Sequence, residues 1–156
     1  MSVAFRRESD EEHKEPRFEL PLPAGPNLVT ARGLALIDAK VIEVEAAVAA
    51  EDEAEAKEVL KRELRYWHTR QTTAVIAPPL EEGVVGIGAR VRIRLAGKER
   101  VIDVVGHDEA DPAADRIAFS APLANALLGA EPGERVDFNG RVEAIEILET
   151  GPIPAN

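Results

Sequence analysis

Cysteine is absent from the 156 residues, which excludes a disulfide framework and any thiolate metal site. No apolar run reaches the length of a membrane span, and the N-terminus lacks the apolar stretch of a secretory signal. The expected location is the cytoplasm. Aromatic residues make up only 4%, so any core must be built from aliphatic side chains. Positive charge is also short: 19 Lys and Arg stand against 29 Asp and Glu, a formal net charge of −10. That balance argues against general binding to a polyanionic backbone, which relies on Lys and Arg neutralising phosphates. Any nucleic-acid contact should be local. The length allows one or two compact units.

What is present divides the chain into three parts. Residues 1–27 are dense in charge and proline, with Arg6, Arg7, Glu8, Asp10, Glu11 and Glu12 followed by Pro16, Pro21, Pro23 and Pro26. Such a segment buries too little to offset the entropy of ordering it, and it reads as a disordered tail without structural contacts. Residues 28–77 are helical in period. Thr30 is a suitable N-cap, and Leu34, Ile37, Val41, Val44 and Val48 place one apolar seam on a helix running to about Ala50. A second seam, Leu60, Leu64, Trp67, Gln71 and Ala74, continues until Pro78 and Pro79 stop it. Two seams joined by so short a link can cover each other only as an antiparallel hairpin.

In residues 78–156 the period becomes that of strands. Arg90, Arg92 and Arg94 alternate with Val91, Ile93 and Leu95, giving a strand with one basic and one apolar face. A second strand, residues 98–105, follows the Ala96-Gly97 turn, and Asn139-Gly140 signals a type I′ hairpin into a last strand over residues 141–148. Pro122 and Gly129 bracket a short helix. Strands with one short helix predict an α+β domain.

The stretch from Gly106 to Gly133 adds a motif at fixed spacing: Gly106, Glu109, Ala110 and Asp111, then Ser120, Pro122, Leu123, Ala124, Ala126, Leu127 and Gly129, then Gly133. Together with Gly88 and Val91 it resembles the C-terminal domain of the GreA/GreB family of bacterial transcription elongation factors. The likeness extends back to about Asn27, and the opening Ser2-Val3-Ala4-Phe5 with its acidic run is similar to the GreB-like branch. It implies an FKBP-like domain, a bent antiparallel sheet wrapped against one short helix, behind an N-terminal coiled coil entered by Thr30, Gly33 and Leu34. It further implies RNA polymerase as partner. Family members dock this domain at the rim of the secondary channel and insert the coil, whose tip carboxylates help hold a second Mg²⁺ of the polymerase site for hydrolysis of backtracked RNA. Contact with nascent RNA and DNA is then indirect, through the elongation complex. The factor itself is no enzyme and holds no cofactor of its own. On this resemblance the docking surface includes Ser120, Pro122 and Leu123.

At the tip the chain departs from the family pattern. A cleavage-competent tip reads approximately Gly-Asp-Leu-Ser-Glu-Asn; here it is Ala49-Ala50-Glu51-Asp52-Glu53-Ala54-Glu55. Asp52 and Glu55 keep an Asp-x-x-Glu spacing and are the candidate cleavage auxiliaries. Asp at an N-cap with Glu three residues later is equally how a helix caps its own amides. A first helix of about 20 residues spans roughly 30 Å, several turns shorter than the family arm and similar to Rnk-like short-armed relatives. Cleavage stimulation is therefore not expected, and an active cleavage factor using Asp52 and Glu55 is the alternative.

Lys57, Lys61 and Arg65 lie four apart on one face of the second helix, the candidate contact with RNA or the channel wall, or else a solvated face. Trp67 reads as a seam or junction anchor and His68 as surface. Asp108, Glu109, Asp111 and Asp115 lack the spacing of a calcium loop and read as a polar turn. His107 has no neighbouring Ser or Cys in sequence that would suggest a nucleophile. Two other classes remain: a prolyl isomerase, for which Phe119 and Phe138 supply too few aromatics, and a structural coiled-coil adaptor.

Overall fold

The computed structural model describes residues 19–155, so most of the expected tail, residues 1–18, lies outside the described residues. The elements are β1 (Leu28–Val29), α1 (Ala31–Ala50), α2 (Ala54–Thr73), β2 (Val75–Ile76), β3 (Ala89–Leu95), β4 (Lys98–Val105), β5 (Arg116–Ala118), α3 (Pro122–Leu127), β6 (Arg135–Phe138) and β7 (Arg141–Pro152). The fold is α+β, a helical hairpin followed by a curled sheet with one short helix. Two compact units result: residues 19–25 with Ile37–Thr73, and Pro26–Leu36 with residues 74–155.

In the first unit the apolar seam of α1 is buried at Ile37, Val41 and Val44, while Leu60, Leu64 and Trp67 of α2 are half-buried. Polar pairs extend the contact across the hairpin: Gln71 Nε2 donates to Asp38 Oδ1 at 2.9 Å, and His68 Nε2 lies 3.4 Å from Glu45 Oε2. Tyr66 and Trp67 meet edge to face, with ring centroids 5.0 Å apart.

The second helix ends at Thr73 rather than at the prolines. β-branched Val75 and Ile76 follow it, and the backbone there takes other partners. The Val75 amide donates to Asn27 O and the Ala77 amide to Val29 O, each at 2.9 Å, forming a two-stranded parallel pair of β1 and β2.

The main sheet has five strands in the order β5-β4-β3-β7-β6. It is mixed rather than wholly antiparallel: β5 runs parallel to β4. A parallel neighbour needs a crossover instead of a hairpin, and residues 106–115, with two short 3-10 turns at His107–Glu109 and Pro112–Ala114, supply it. The turns read from sequence are in place. Ala96 and Gly97 have φ of 55° and 78°, and Asn139 and Gly140 have 54° and 80°, positive at both central residues as a type I′ hairpin demands. β7 runs past the expected end at residue 148 to Pro152, because its residues from Ile145 onward pair with all of β3, with one register shift between Arg92 and Ile93.

Alternation on the strands sends Val91, Ile93, Ile102, Val104, Ile145 and Ile147 inward against Ala124 and Leu127 of α3. Each fully buried Ile or Leu contributes about 1.5–3 kcal/mol, which lets an aliphatic core stand without many aromatics.

Candidate functional site

The hairpin turn is built by Glu51, Asp52 and Glu53 between α1 and α2. Capping falls to Glu53 and not to Asp52: Glu53 Oε1 accepts from the Ala56 amide at 2.8 Å, and Glu53 O accepts the first helical bond from Lys57 at 2.9 Å. Glu51 Oε2 in turn accepts from the Glu53 amide at 3.1 Å. The Asp52/Glu55 capping alternative is thereby corrected, since the helix begins one residue later than that box requires. Asp52 and Glu55 are exposed, and neither makes a hydrogen bond or ion pair among the described residues. Among the described residues no group of three or more His, Asp or Glu could hold a metal ion.

Cations along α2 are unevenly engaged. Lys57 has no ion-pair partner among the described residues. Lys61 lies 3.4 Å from Glu58, its neighbour on the same helix. Arg65 is held in a two-pronged contact, Nε to Glu19 Oε1 at 2.9 Å and Nη2 to Glu19 Oε2 at 2.6 Å. The Arg65 hydrogen bond, with further attraction from Arg65 and Arg62, holds the Glu19 carboxyl below its usual range. The expectation that the whole segment before Asn27 makes no contact fails at Glu19. Its carboxylate matches the planar guanidinium fork, a long-range complement that composition does not reveal.

On the sheet the basic face of β3 is neutralised strand by strand. Arg90 pairs with Asp103 at 2.8 and 3.0 Å. Arg92 reaches Glu149 and Glu99, each at 3.1 Å, and Arg94 reaches Glu146 at 2.9 Å. Arg90 and Asp103, Arg92 and Glu149, and Arg94 and Glu146 are direct register partners. These bonds push the Arg90 and Arg92 guanidinium pKa values up, through Asp103 for the first and Glu149, then Glu99, for the second.

The motif carboxylate Glu109 is a clamp rather than part of a loose polar turn. Its side chain is 3% exposed; Thr30 Oγ1 donates to Oε1 at 2.5 Å and Arg32 Nη1 to Oε2 at 2.8 Å. Thr30 Oγ1 also accepts from the Gly33 amide at 2.9 Å, capping α1. A Cβ on Gly33 would lie 3.0 Å from Glu109 Oε1, and one on Gly106 would lie 2.5 Å from the backbone oxygen of Leu28. Both glycines are therefore close-approach positions. The sequence holds these residues but not their meeting, because 79 positions separate Thr30 from Glu109.

The candidate docking residues gather at the start of α3. Ser120 and Pro122 are exposed, Pro122 opens the helix, and half-buried Leu123 packs on the core. His107 is not isolated from a serine: its Nε2 lies 2.9 Å from Ser120 Oγ, and its ring centroid 5.0 Å from that of Phe119. The parallel return of β5 brings residue 120 beside residue 107, a proximity invisible to local spacing. Phe119 and Phe138 both pack against the core.

Comparison with known proteins bears on the family. Residues 80–150 match the family described as "Transcription elongation factor, GreA/GreB, C-term". The transcription elongation factor GreB of Neisseria meningitidis serogroup A is 38% identical over 96 residues, 57% of this chain and 58% of that protein. GreA of Rhizobium etli strain CIAT 652 is 38% identical over 69 residues, 42% of this chain and 44% of that one. The chain thus matches less than two thirds of the length of these relatives. Among solved structures, the GreA factor homolog Gfh1 of Thermus thermophilus aligns over 81% of this chain and 99% of its own, with 18% identity and a TM-score of 0.38. A GreA/GreB factor of Nitrosomonas europaea aligns over 81% and 98%, with 18% identity and a TM-score of 0.39.

Proposed function

The chain belongs to the GreA/GreB family of transcription elongation factors, and on that premise we propose that it is an RNA polymerase-binding regulator of elongation acting at the secondary channel. The observation that carries the reading is the family match over residues 80–150, within which Ser120 and Pro122 stand exposed at the opening of α3. In this reading the sheet unit docks and the hairpin enters the channel. The protein performs no hydrolysis alone; at most it assists the polymerase's own site.

The regulator occupies the channel without delivering an effective cleavage tip. Each hairpin helix has 20 residues, roughly 30 Å, and the turn lacks the Gly, Ser and Asn of the cleavage-competent pattern. Positioning is decisive, because catalytic ligands must be held at near-bonding distances. A second reading, a cleavage factor, is favoured by one observation: Asp52 and Glu55 are exposed and uncommitted to capping. Mg²⁺ takes oxygen ligands and keeps several waters, so these two carboxylates could complete a metal site supplied by the polymerase but not build one.

Competition with a longer-armed Gre factor for core polymerase tests the docking reading. Replacing Ser120 and Pro122 together by glutamate should weaken binding while the protein stays folded; unchanged binding would move the docking surface elsewhere. Cleavage of backtracked RNA by wild type and by Asp52→Ala/Glu55→Ala separates the two readings. Little cleavage with either protein supports the regulator, whereas robust cleavage lost in the double variant establishes the second reading.

A further inference from the structure

Residues 19–21 lie along α2, where Leu20 and Pro21 line a surface groove with Val59, Arg62 and Tyr66. Glu19 places both carboxylate oxygens on the Arg65 fork at 2.9 and 2.6 Å. We infer that this segment is a displaceable strap that occupies Arg65, at one end of the cationic face of α2, in competition with a single-stranded nucleic-acid backbone. It rests on the reading of Lys57, Lys61 and Arg65 as the candidate contact with RNA.

Three features point to exchange rather than permanent anchoring. The Arg65 and Glu19 side chains are 53% and 46% exposed, and exposed pairs are weak enough to be traded for another anion. A carboxylate presenting two oxygens to a guanidinium is also the geometry by which arginine grips phosphate. Finally, the strap covers cations beside an aromatic side chain, Tyr66, and cations with aromatic faces are what single strands use for backbone and base contact. The carboxylate of Glu19 thus stands where a phosphate would stand. In a protein of net charge −10, masking Arg65 suppresses adventitious binding until a strand is presented at short range.

The test is binding of a fluorescent single-stranded RNA oligonucleotide at low ionic strength, measured by anisotropy, to the full chain, Glu19→Gln, a form lacking residues 1–21, and each combined with Arg65→Ala. Glu19→Gln and the truncation should tighten binding about two- to fivefold, the scale of an exposed ion pair. They should also steepen the slope of log affinity against log salt by about 0.7, one added phosphate contact to a single strand. Arg65→Ala should erase both gains. Unchanged affinity and slope, or a gain that persists in Arg65→Ala, would overturn the strap. A gain seen for core polymerase but not for RNA would overturn the nucleic-acid assignment and give the face to a protein. Competition for polymerase through the α3 edge, measured on the same proteins, reports separately on the docking reading.

Discussion

Charged side chains are held differently in the two units. In the sheet unit they are engaged by construction: Glu109 takes two donors while buried, and each β3 arginine meets a carboxylate on an adjoining strand. On the hairpin Asp52 and Glu55 have no side-chain hydrogen bond or ion pair among the described residues, Lys57 has no ion pair among them, and Arg65 is gripped by a half-exposed Glu19. The lesson is that charge in the sheet unit specifies structure, whereas on the hairpin the carboxylates of the turn, Asp52 and Glu55, are left to another molecule. A basic stripe in sequence is therefore no guide to a binding face until its partners are known.

The sharpest way to break this comparison is at Glu109. Glu109→Gln keeps the shape but removes the charge that Arg32 and Thr30 satisfy, and stability should fall by about 1–3 kcal/mol in denaturant unfolding. A change below about 0.5 kcal/mol would deny that the buried carboxylate is structural.

The hairpin turn supplies a smaller effect with internal contrast. Glu53→Ala removes the side-chain cap of α2 and should cost about 0.5–1 kcal/mol. Asp52→Ala and Glu55→Ala, whose side chains make no hydrogen bond or ion pair among the described residues, should stay within about 0.5 kcal/mol of wild type. If Asp52→Ala destabilised more than Glu53→Ala, the capping assignment would be reversed and the idea of an uncommitted tip would fail.

The smallest effect is the response of the strap to acid. Glu19 titrates below its usual value because Arg65 stabilises its charged form. A depressed carboxyl contributes its pairing above the unfolded pKa and loses it as pH falls through the folded one. Acidification below the ordinary carboxylate range should therefore release Arg65. A Glu19 carboxyl resonance titrating at or above the ordinary glutamate position would contradict the pairing. Arg90 and Arg92, with guanidinium pKa values raised further by their carboxylate partners, keep their positive charge throughout.

Much of the architecture was legible in local pattern, because neighbours along the chain decide it. The α1 seam, the positive-φ turns at Ala96-Gly97 and Asn139-Gly140, Pro122 at the opening of α3 and Gly129 beyond its end all depend on residues within a turn or two of one another. The motif from Gly106 to Gly133 carried the family. The candidate site was only partly legible: Asp52 and Glu55 could be placed at the turn, but spacing could not show that Glu53 is the cap.

What tertiary structure alone decided is partner choice. Among 29 acidic residues, sequence does not say which carboxylate reaches Arg65, which enters the buried space beside Thr30, or which strand faces Arg92. Those pairings depend on strand register, on the ten-residue crossover that makes β5 parallel, and on close approaches that only Gly33 and Gly106 permit. Periodicity is a local property and was determined by the sequence on its own. Charge neutralisation acts through space between residues up to 79 positions apart, and only folding brings them within hydrogen-bond distance.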